Sequence, residues 1–428
     1  MCRFSGKEGT PVACLFVLAT LVLPVRAFEI WSDEDRQQSV ALDVAGKFTS
    51  LLSRGPDDPI LFPERNSETS LLRLRLDLNV KHNDWMNSEI AYEQRARWVS
   101  EAAGFGATGR FLPAEAEAPF RLTQLDWQLC EEPGDFVARH EVDRALVALH
   151  PEWGEVTMGR QAIGLGRGVL FSAVDVFNPF SPLEVDREWR RGVDAVRAEY
   201  RVSQTSSVEV IGAFAETWEN SALLGRFRGY VGNVDASLIA GKRGQDSMLG
   251  VTTSAAVGDA EIHGELAIFD TPEPQPDGGW FGDDHLVGKA VAGGSYTFDI
   301  GKGLTLLGEY HYCGFGVKDA SDATARLMDR TFRERFLRGD TQVLGRHAMA
   351  TQLSYPLTDA LDGSFLVLQS PVDGSGVVSP SVRWDLAEDM SLIASAFIPW
   401  GDEPAAGQLD SEYGATPMSF VVQLNVYR

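Results

Sequence analysis

The sequence predicts an all-β chain folded as a transmembrane antiparallel β-barrel of about 18 strands, within a range of 16–18, with one infolded segment. The first observation is a strict alternation of apolar and polar residues at positions 70–81. Its apolar members are Leu72, Leu74, Leu76, Leu78 and Val80, and its polar members are Arg73, Arg75, Asp77, Asn79 and Lys81. In a strand this period of two places one face in an apolar medium and the other in water.

The second observation is an export signal at the N-terminus. The first seven residues carry two basic side chains, residues 12–23 are apolar, and a small-residue cleavage motif ends at Ala27. This pattern is typical of a secretory signal peptide. Residues 1–27 are therefore predicted to be removed, and residues 28–428 to form a single outer-membrane barrel that begins with a short periplasmic lead.

The third observation is that strand-like runs recur along the whole chain, separated alternately by tight turns and by long polar loops. Short periplasmic turns and long outer loops are typical of bacterial outer-membrane barrels, which have even strand numbers. The predicted strands are 38–50, 70–81, 85–97, 121–130, 136–150, 154–163, 192–203, 206–217, 227–241, 246–256, 259–270, 286–300, 303–316, 342–356, 363–371, 376–386, 390–400 and 417–427.

Aromatic residues near the predicted strand ends suggest girdles at the two membrane interfaces. Aromatics that pack a core explain any single one nearly as well, and only the set favours girdles. The set is Trp85, Trp98, Trp127, Trp153, Phe269, Trp384, Trp400 and Tyr427.

Composition narrows the function classes. The chain has 61 acidic and 38 basic residues and a formal net charge of −23, which argues against nucleic-acid binding. Acidic loops suit either simple hydration or contact with a lipopolysaccharide layer bridged by divalent cations. After cleavage only Cys130 and Cys313 remain, which excludes a disulfide framework, and we predict that the two do not pair.

The most distinctive stretch of the chain is residues 159–202. It contains Gly-Arg-Gln at 159–161, Asp-Val-Phe-Asn-Pro at 175–179 and Arg-Arg-Gly-Val-Asp at 190–194. Together with Gly264-Glu265 and Gly308-Glu309-Tyr310, these elements resemble a group of proteobacterial outer-membrane porin-like barrels, some of which are similar to alginate-export channels. The resemblance implies a Gram-negative outer-membrane channel.

Within this stretch, residues 164–191 are too long for a turn and hold two X-Pro bonds that oppose regular strand pairing. Long loops in compact domains usually have a function, and large barrels are commonly narrowed by an infolded segment. We therefore predict that 164–191 folds into the lumen as a pore constriction or plug. Counting strands back from the C-terminus places its start at the periplasmic end.

Arginines concentrate around this segment in an otherwise acidic chain. In a pore wall, guanidinium groups select anions and suit carboxylate or phosphate. Alternatively, acids such as Asp175, Glu184, Asp186 and Asp194 neutralise them in a structural ladder. The candidate solute-contacting residues are Arg160, Arg167, Asp175, Asn178, Arg187, Arg190, Arg191, Arg197 and Arg201.

No catalytic, cofactor or metal motif is recognisable. Gly164-x-Gly166-x-Gly168 lacks the Gly-Lys-Ser/Thr ending of a phosphate loop, and the spacing of His311 and Cys313 beside Glu309 is a weak metal pattern. We therefore expect no enzyme activity, no cofactor and no metal.

The expected function is passive passage of small polar or anionic solutes through an outer-membrane channel. One alternative is a gated exporter of an anionic polymer, or a secretion-complex barrel, that needs a periplasmic partner; a second is an outer-membrane enzyme. The expected partners are membrane lipid, lipopolysaccharide, the barrel-assembly machinery and small solutes, with no nucleic acid.

Overall fold

A computed structural model describes residues 28–33, 35–100, 111–112, 117–132, 136–275 and 278–428. The signal peptide predicted at residues 1–27 lies outside these ranges. No helix among the described residues is long and apolar enough to cross a membrane.

The described residues are mostly strands. In chain order the strands are β1 (Phe28–Asp33), β2 (Gln38–Arg54), β3 (Asn66–His82), β4 (Met86–Val99), β5 (Asp126–Glu132), β6 (Phe136–Leu149), β7 (Gly154–Gln161), β8 (Val193–Arg201), β9 (Ser206–Ala213), β10 (Ala222–Val231), β11 (Val234–Arg243), β12 (Asp246–Val257), β13 (Ala260–Asp270), β14 (Gly279–Trp280), β15 (Asp283–Phe298), β16 (Leu304–Cys313), β17 (His347–Pro356), β18 (Leu361–Gln369), β19 (Gly376–Ala387), β20 (Met390–Trp400) and β21 (Met418–Tyr427). The helices are α1 (Ala323–Met328) and α2 (Arg330–Arg338), with 3-10 turns at Trp218–Asn220 and Ala320–Asp322.

Eighteen of these strands form one closed antiparallel wall, which confirms the predicted fold class. Each wall strand pairs with the next along the chain. The last strand, β21, then pairs with the first, β2, from Arg54↔Met418 to Ala45↔Tyr427. Closure leaves no free sheet edge in the membrane, where an unpaired backbone N–H or C=O costs several kcal/mol.

Three short strands lie outside this ring. The predicted periplasmic lead forms β1, which pairs with β2 and extends the wall beyond the end of β21. Strand β5 pairs with the outer half of β6, and β14 forms a small hairpin with β15.

The strand count is right although two of the predicted strands were wrong. The predicted strand 227–241 is two strands, β10 and β11, joined by the two-residue turn Gly232-Asn233 with Gly232 at φ +66°. The predicted strand 121–130 is instead the accessory strand β5. The two errors cancel in the total but reverse the strand parity between them.

This parity error explains why the predicted sidedness of residues 164–191 was wrong. The turns 83–85, 150–153, 202–205, 232–233 and 258–259 all lie at one end of the barrel, the end that also holds the C-terminus. The connection from β7 to β8 leaves from the opposite end, together with the long loops. Long loops mark the outer face in barrels of this kind, so the segment enters the lumen from outside.

The two faces of the wall follow the alternation read in the sequence. On β3, Arg73 and Arg75 are buried in the lumen, and Leu72, Leu74 and Leu76 alternate with them on the outside. On β21 the inward residues Gln423 and Asn425 alternate with outward apolar ones. The outward stripe buries its apolar area against lipid.

The predicted aromatic girdle is only partly right. Trp85, Trp153 and Trp384 lie on the outside near strand ends with about half of their surface exposed, at 50%, 46% and 50%. Phe269, in contrast, points into the lumen and is fully buried against Phe315. Cys130 and Cys313 form no disulfide, as predicted.

The orientation of β3 makes a stability test possible. Leu74→Arg places a charge on the lipid face near mid-membrane and should lower the free energy of unfolding by about 2–4 kcal/mol. The same change at Val80, on the same face near the periplasmic turn, should lower it by only about 0–1 kcal/mol. Denaturant titration in lipid vesicles measures both values, and equal losses at the two positions would contradict the assigned depth.

Candidate functional site in the barrel lumen

Residues 164–191, called the lumen segment below, contact inward-facing side chains of distant wall strands. The strands on either side of it are neighbours, since Gln161 on β7 pairs with Val193 on β8. The segment therefore leaves the wall and returns to it at almost the same point. Contacts with other elements and contacts within the segment hold the stretch between.

The first anchor of the segment is a pair of glutamates on the far wall. Glu265 on β13 accepts backbone N–H bonds from Arg167, Gly168 at 2.8 Å, Ala173 at 2.6 Å and Val174 at 3.2 Å. It also accepts the Ser172 hydroxyl at 2.7 Å.

Glu309 on β16 continues the same anchor. It accepts the N–H groups of Val169, Leu170 and Phe171 at 2.5, 2.9 and 3.0 Å and pairs with His263 Nε2 at 2.9 Å. The remaining N–H in this run, that of Ser172, donates to the Gln342 side chain at 2.8 Å. Three side chains thus satisfy eight consecutive backbone N–H groups, which would otherwise be buried without partners.

The glycines of this run are required by close packing. A Cβ atom on Gly168 would lie 2.0 Å from the carbonyl oxygen of Phe171, and one on Gly166 would lie 2.3 Å from the Ser172 hydroxyl. These glycines let the backbone curl around the two carboxylates. Close packing therefore explains the glycines at 166 and 168, and a phosphate loop is not needed to explain them.

The second anchor uses side chains of the segment itself. Asp186 accepts from Lys47 Nζ at 2.7 Å and from Arg73 Nη1 at 2.7 Å, and all three groups are buried. Lys47 also contacts Glu188 at 2.6 Å and lies over the Trp189 ring, 3.8 Å from its centroid. Charge-assisted hydrogen bonds and cation–π contacts of this kind are strong where water is excluded.

The two anchors lie on opposite sides of the ring. Lys47 and Arg73 belong to β2 and β3, the first and second wall strands. Glu265 and Glu309 belong to β13 and β16, the eleventh and thirteenth of 18 wall strands. The lumen segment therefore crosses the barrel from wall to wall.

Apolar packing fills the space between the anchors. Val174 and Phe177 of the segment are fully buried, and Phe177 meets Phe120 edge-on at 5.2 Å. Phe111 packs into the same cluster, and its carbonyl accepts the N–H of Val185 at 3.0 Å. A second loop, between β4 and β6, thus supports the segment from the side.

A third loop, residues 314–346 with α1 and α2, covers the segment from the outside. Gln342 bonds both the Ser172 N–H and the Phe180 carbonyl, the latter at 2.8 Å. Arg243 at the end of β11 pairs with Asp340 and also donates to the Val176 carbonyl. Lumen segment and outer loop therefore share hydrogen bonds.

The loop itself is fixed by buried ion pairs. Asp340 is shared by Arg243, Arg335 and Arg338, and Asp246 at the start of β12 pairs with the last two. Burial alone would raise the pKa of the Asp340 carboxyl, but the guanidinium groups of Arg243 and Arg338 hold that pKa well below its usual range. The helix arginines at 335 and 338 thus serve as internal braces.

Most of the predicted solute-contacting residues are paired with each other or with wall carboxylates. The ion pairs are Arg160 with Asp194 at 2.7 Å, Arg167 with Asp235, Asp175 with Arg190 at 2.5 Å, Arg191 with Glu141 at 3.6 Å, and Arg197 with Glu209 at 2.5 Å. Asn178 donates to the Arg191 carbonyl at 3.2 Å. Arg201 is exposed at the periplasmic end of β8.

Arg187 differs from the other arginines of the segment. Across the described ranges no carboxylate lies within 4.0 Å of it, and its Nη2 donates to the Val169 carbonyl at 2.8 Å. Together with Arg190 and the Phe180 ring it lines a cavity of about 310 Å³. The two guanidinium groups lie 5.9 and 5.1 Å from the centre of that ring.

Of the four acids expected to neutralise arginines, two pair with arginines of the candidate set. These are Asp175 and Asp194, whereas Asp186 binds Lys47 and Arg73 instead. Glu184 has no cation within 4.0 Å among the residues described. It is half-buried within the segment, three residues before Arg187.

Sequence reasoning missed the residues that anchor the segment. Glu265 and Glu309 were noted as parts of a resemblance, and Glu309 also as part of a weak metal pattern. Their position as inward carboxylates in otherwise small or apolar surroundings was the signal available. Lys47 and Arg73 face each other directly across β2 and β3. Their pairing was visible only after the strand register was known.

No group of three or more His, Cys, Asp or Glu side chains among the described residues is arranged to hold a metal ion. The His263–Glu309 contact belongs to the first anchor, and His311 stacks on Phe171 with ring centroids 4.9 Å apart. Both histidines thus contact the lumen segment or its anchor.

A closed antiparallel wall with a lipid-facing stripe and a charged lumen defines an outer-membrane β-barrel with a porin-like fold. No protein-family model matches the chain, and no curated protein matches its sequence.

Solved structures have the same fold. OccAB1 of Acinetobacter baumannii superposes with a TM-score of 0.53 at 9% identity, covering 94% of this chain and 98% of that one. OccAB4 of the same organism gives 0.53 at 8% identity, with 91% and 98% covered. A doubly substituted variant of OccD1 (OprD) gives 0.51 at 11% identity, with 91% and 95% covered. These likenesses support the barrel and leave the narrower alginate-export-like group without support.

The first anchor can be tested by loosening it. Glu265→Ala leaves four backbone N–H groups and one hydroxyl without their acceptor, and each bond to a charged group contributes about 1.5–3 kcal/mol. Hydrogen exchange at residues 167–174 should therefore speed up by about tenfold or more, while the wall strands stay protected. Glu261→Ala, near the periplasmic end of the same strand, is the control. Unchanged exchange at 167–174 would show that Glu265 does not hold the segment.

Proposed function

We propose that this chain is an outer-membrane channel for the passive passage of small polar or anionic solutes, and that residues 164–191 form its constriction. The observation that carries the proposal is the wall-to-wall path of the lumen segment. A solute that enters from the outer face must pass beside this segment, so its side chains decide what crosses. Lipid and lipopolysaccharide would surround the wall, and assembly would use the barrel-assembly machinery.

Charge along the path supports a preference for anions. The ion pairs of the wall leave most arginines neutralised, whereas Arg187 faces the cavity without a carboxylate partner among the described residues. A lone guanidinium group at a constriction attracts anions and repels cations. Arg187 is therefore the arginine we assign to solute contact, with the paired arginines bracing the lumen.

Arg187→Gln tests this assignment. Two unit charges 4 Å apart in water interact by about 1 kcal/mol, so the anion-to-cation permeability ratio should fall about threefold to fivefold. Reversal potentials under a salt gradient in planar bilayers measure the ratio. Arg201→Gln removes an exposed charge at the periplasmic end and should change the ratio much less. Equal effects of the two variants would exclude a special role for Arg187.

A second candidate is a gated exporter of an anionic polymer with a periplasmic partner. The observation that favours it is the strong fixation of the segment at both walls, which suits a plug. In that case the lumen would be closed at rest and would open only when the partner displaced the segment.

Replacing residues 164–191 by a short Gly-Ser linker separates the two candidates. The linker closes easily because Gln161 and Val193 are already paired. A channel should conduct before the change and show a larger single-channel conductance after it. A plugged exporter should be silent before and conduct after. A heat-shift gel confirms that the wall has folded in each case.

A further inference from the structure

The proposed constriction contains two neighbouring charges that lack ion-pair partners in the described chain, Glu184 and Arg187. They are three residues apart and lie on either side of Asp186, which belongs to the second anchor. The carboxylates around them are strongly engaged: Glu265 accepts five hydrogen bonds, and Asp186 binds two cations. Among the described residues, the Glu184 carboxylate is hydrogen-bonded to its own turn, where its Oε2 accepts the Ser181 N–H at 3.2 Å.

The backbone around Glu184 is fixed. The Glu184 N–H donates to the Ser181 carbonyl at 3.1 Å, so residues 181–184 form a turn closed from both sides. Leu183 is buried in the main apolar cluster, and the next N–H, that of Val185, donates to the Phe111 carbonyl. The backbone at Glu184 is therefore held both by its own turn and by the neighbouring loop.

Resting on the proposed channel function, we propose that Glu184 is a specificity-determining residue that sets the ion preference of the lumen by gaining and losing a proton. When Glu184 is neutral, Arg187 dominates the constriction and anions are favoured. When Glu184 is ionised, its negative charge offsets that of Arg187, and the preference for anions weakens.

The surroundings of Glu184 place this change near neutral pH. Burial raises the pKa of Glu184 to about 7, and the neighbouring Asp186 carboxylate also raises it. The Ser181 N–H, Arg73 on β3 and Arg187 act in the opposite direction. The neighbouring loop contributes the apolar Phe111 at this point. Because the carboxyl is neutral below its pKa, anion preference should fall as the pH rises through about 7.

The experiment is a pH titration of the reversal potential. For the full-length mature channel in planar bilayers, the anion-to-cation permeability ratio should fall about threefold to fivefold between about pH 5 and pH 9, since the change adds one unit charge three residues from Arg187, which lines the cavity. Glu184→Gln should hold the ratio at its low-pH value throughout. Glu199→Gln, which removes a carboxylate of β8, should leave the midpoint near 7 unchanged.

The Glu184→Gln variant is necessary because an unperturbed histidine titrates in the same pH range. A pH-dependent ratio that persists in Glu184→Gln would overturn the inference and assign the titration to another group, such as His263. If Glu184→Gln fails to fold by the heat-shift gel, Glu184→Asp replaces it. The shorter side chain should move the midpoint, and an unchanged midpoint would also overturn the inference.

The remaining outcomes separate this inference from the proposed function. If the protein conducts ions but its selectivity does not change with pH, the proposed channel function is supported and the role of Glu184 is contradicted. If the protein with residues 164–191 intact shows no conductance at any pH, both the passive channel and the ion preference assigned to Glu184 are contradicted.

Discussion

The whole structure depends on one constraint, that every buried backbone N–H and C=O needs a hydrogen-bond partner. In the wall the constraint is met by closure, because β21 returns to β2 and no strand edge is left in the hydrocarbon. In the lumen segment it is met by side chains, since Glu265, Glu309 and Gln342 accept all eight N–H groups from Arg167 to Val174. Irregular backbone is tolerated at membrane depth only where protein or water satisfies it in this way.

Charge follows from the same constraint. On one wall, carboxylates that point into the lumen accept backbone N–H groups of the lumen segment. On the opposite wall, Asp186 of the segment binds the cations of Lys47 and Arg73. Most lumen arginines are then balanced by neighbouring acids, which keeps the interior ordered. Glu184 and Arg187 differ from these groups, because neither has an ion-pair partner within 4.0 Å among the described residues. In the channel proposed above, selectivity would depend on these few groups, while the many paired charges stabilise the lumen.

Packing of the outer loops gives the lumen segment its second support. Loop 314–346 bonds to the segment through Gln342 and Arg243, and its own shape is fixed by the carboxylates of Asp246 and Asp340. A second apolar cluster joins this loop to Leu409 and Ala415 of the last outer loop. Among the described residues, loop 314–346 therefore packs against both the lumen segment and the last outer loop.

The residue pattern alone was enough to predict the barrel, its even strand number and the faces of strands such as β3 and β21, because a period of two fixes sidedness without knowledge of partners. It also singled out residues 164–191, since length and X-Pro bonds exclude regular pairing there. The residue pattern did not reveal that 227–241 is two strands or that β5 lies outside the wall. A two-residue turn and a half-length strand change the alternation of apolar and polar residues very little. The tertiary structure was needed to show which arginines are paired and which carboxylates accept backbone N–H groups. It was also needed to show which wall strands carry each anchor. Those contacts join residues far apart in the chain, and a shift of one residue in register would change every one of them.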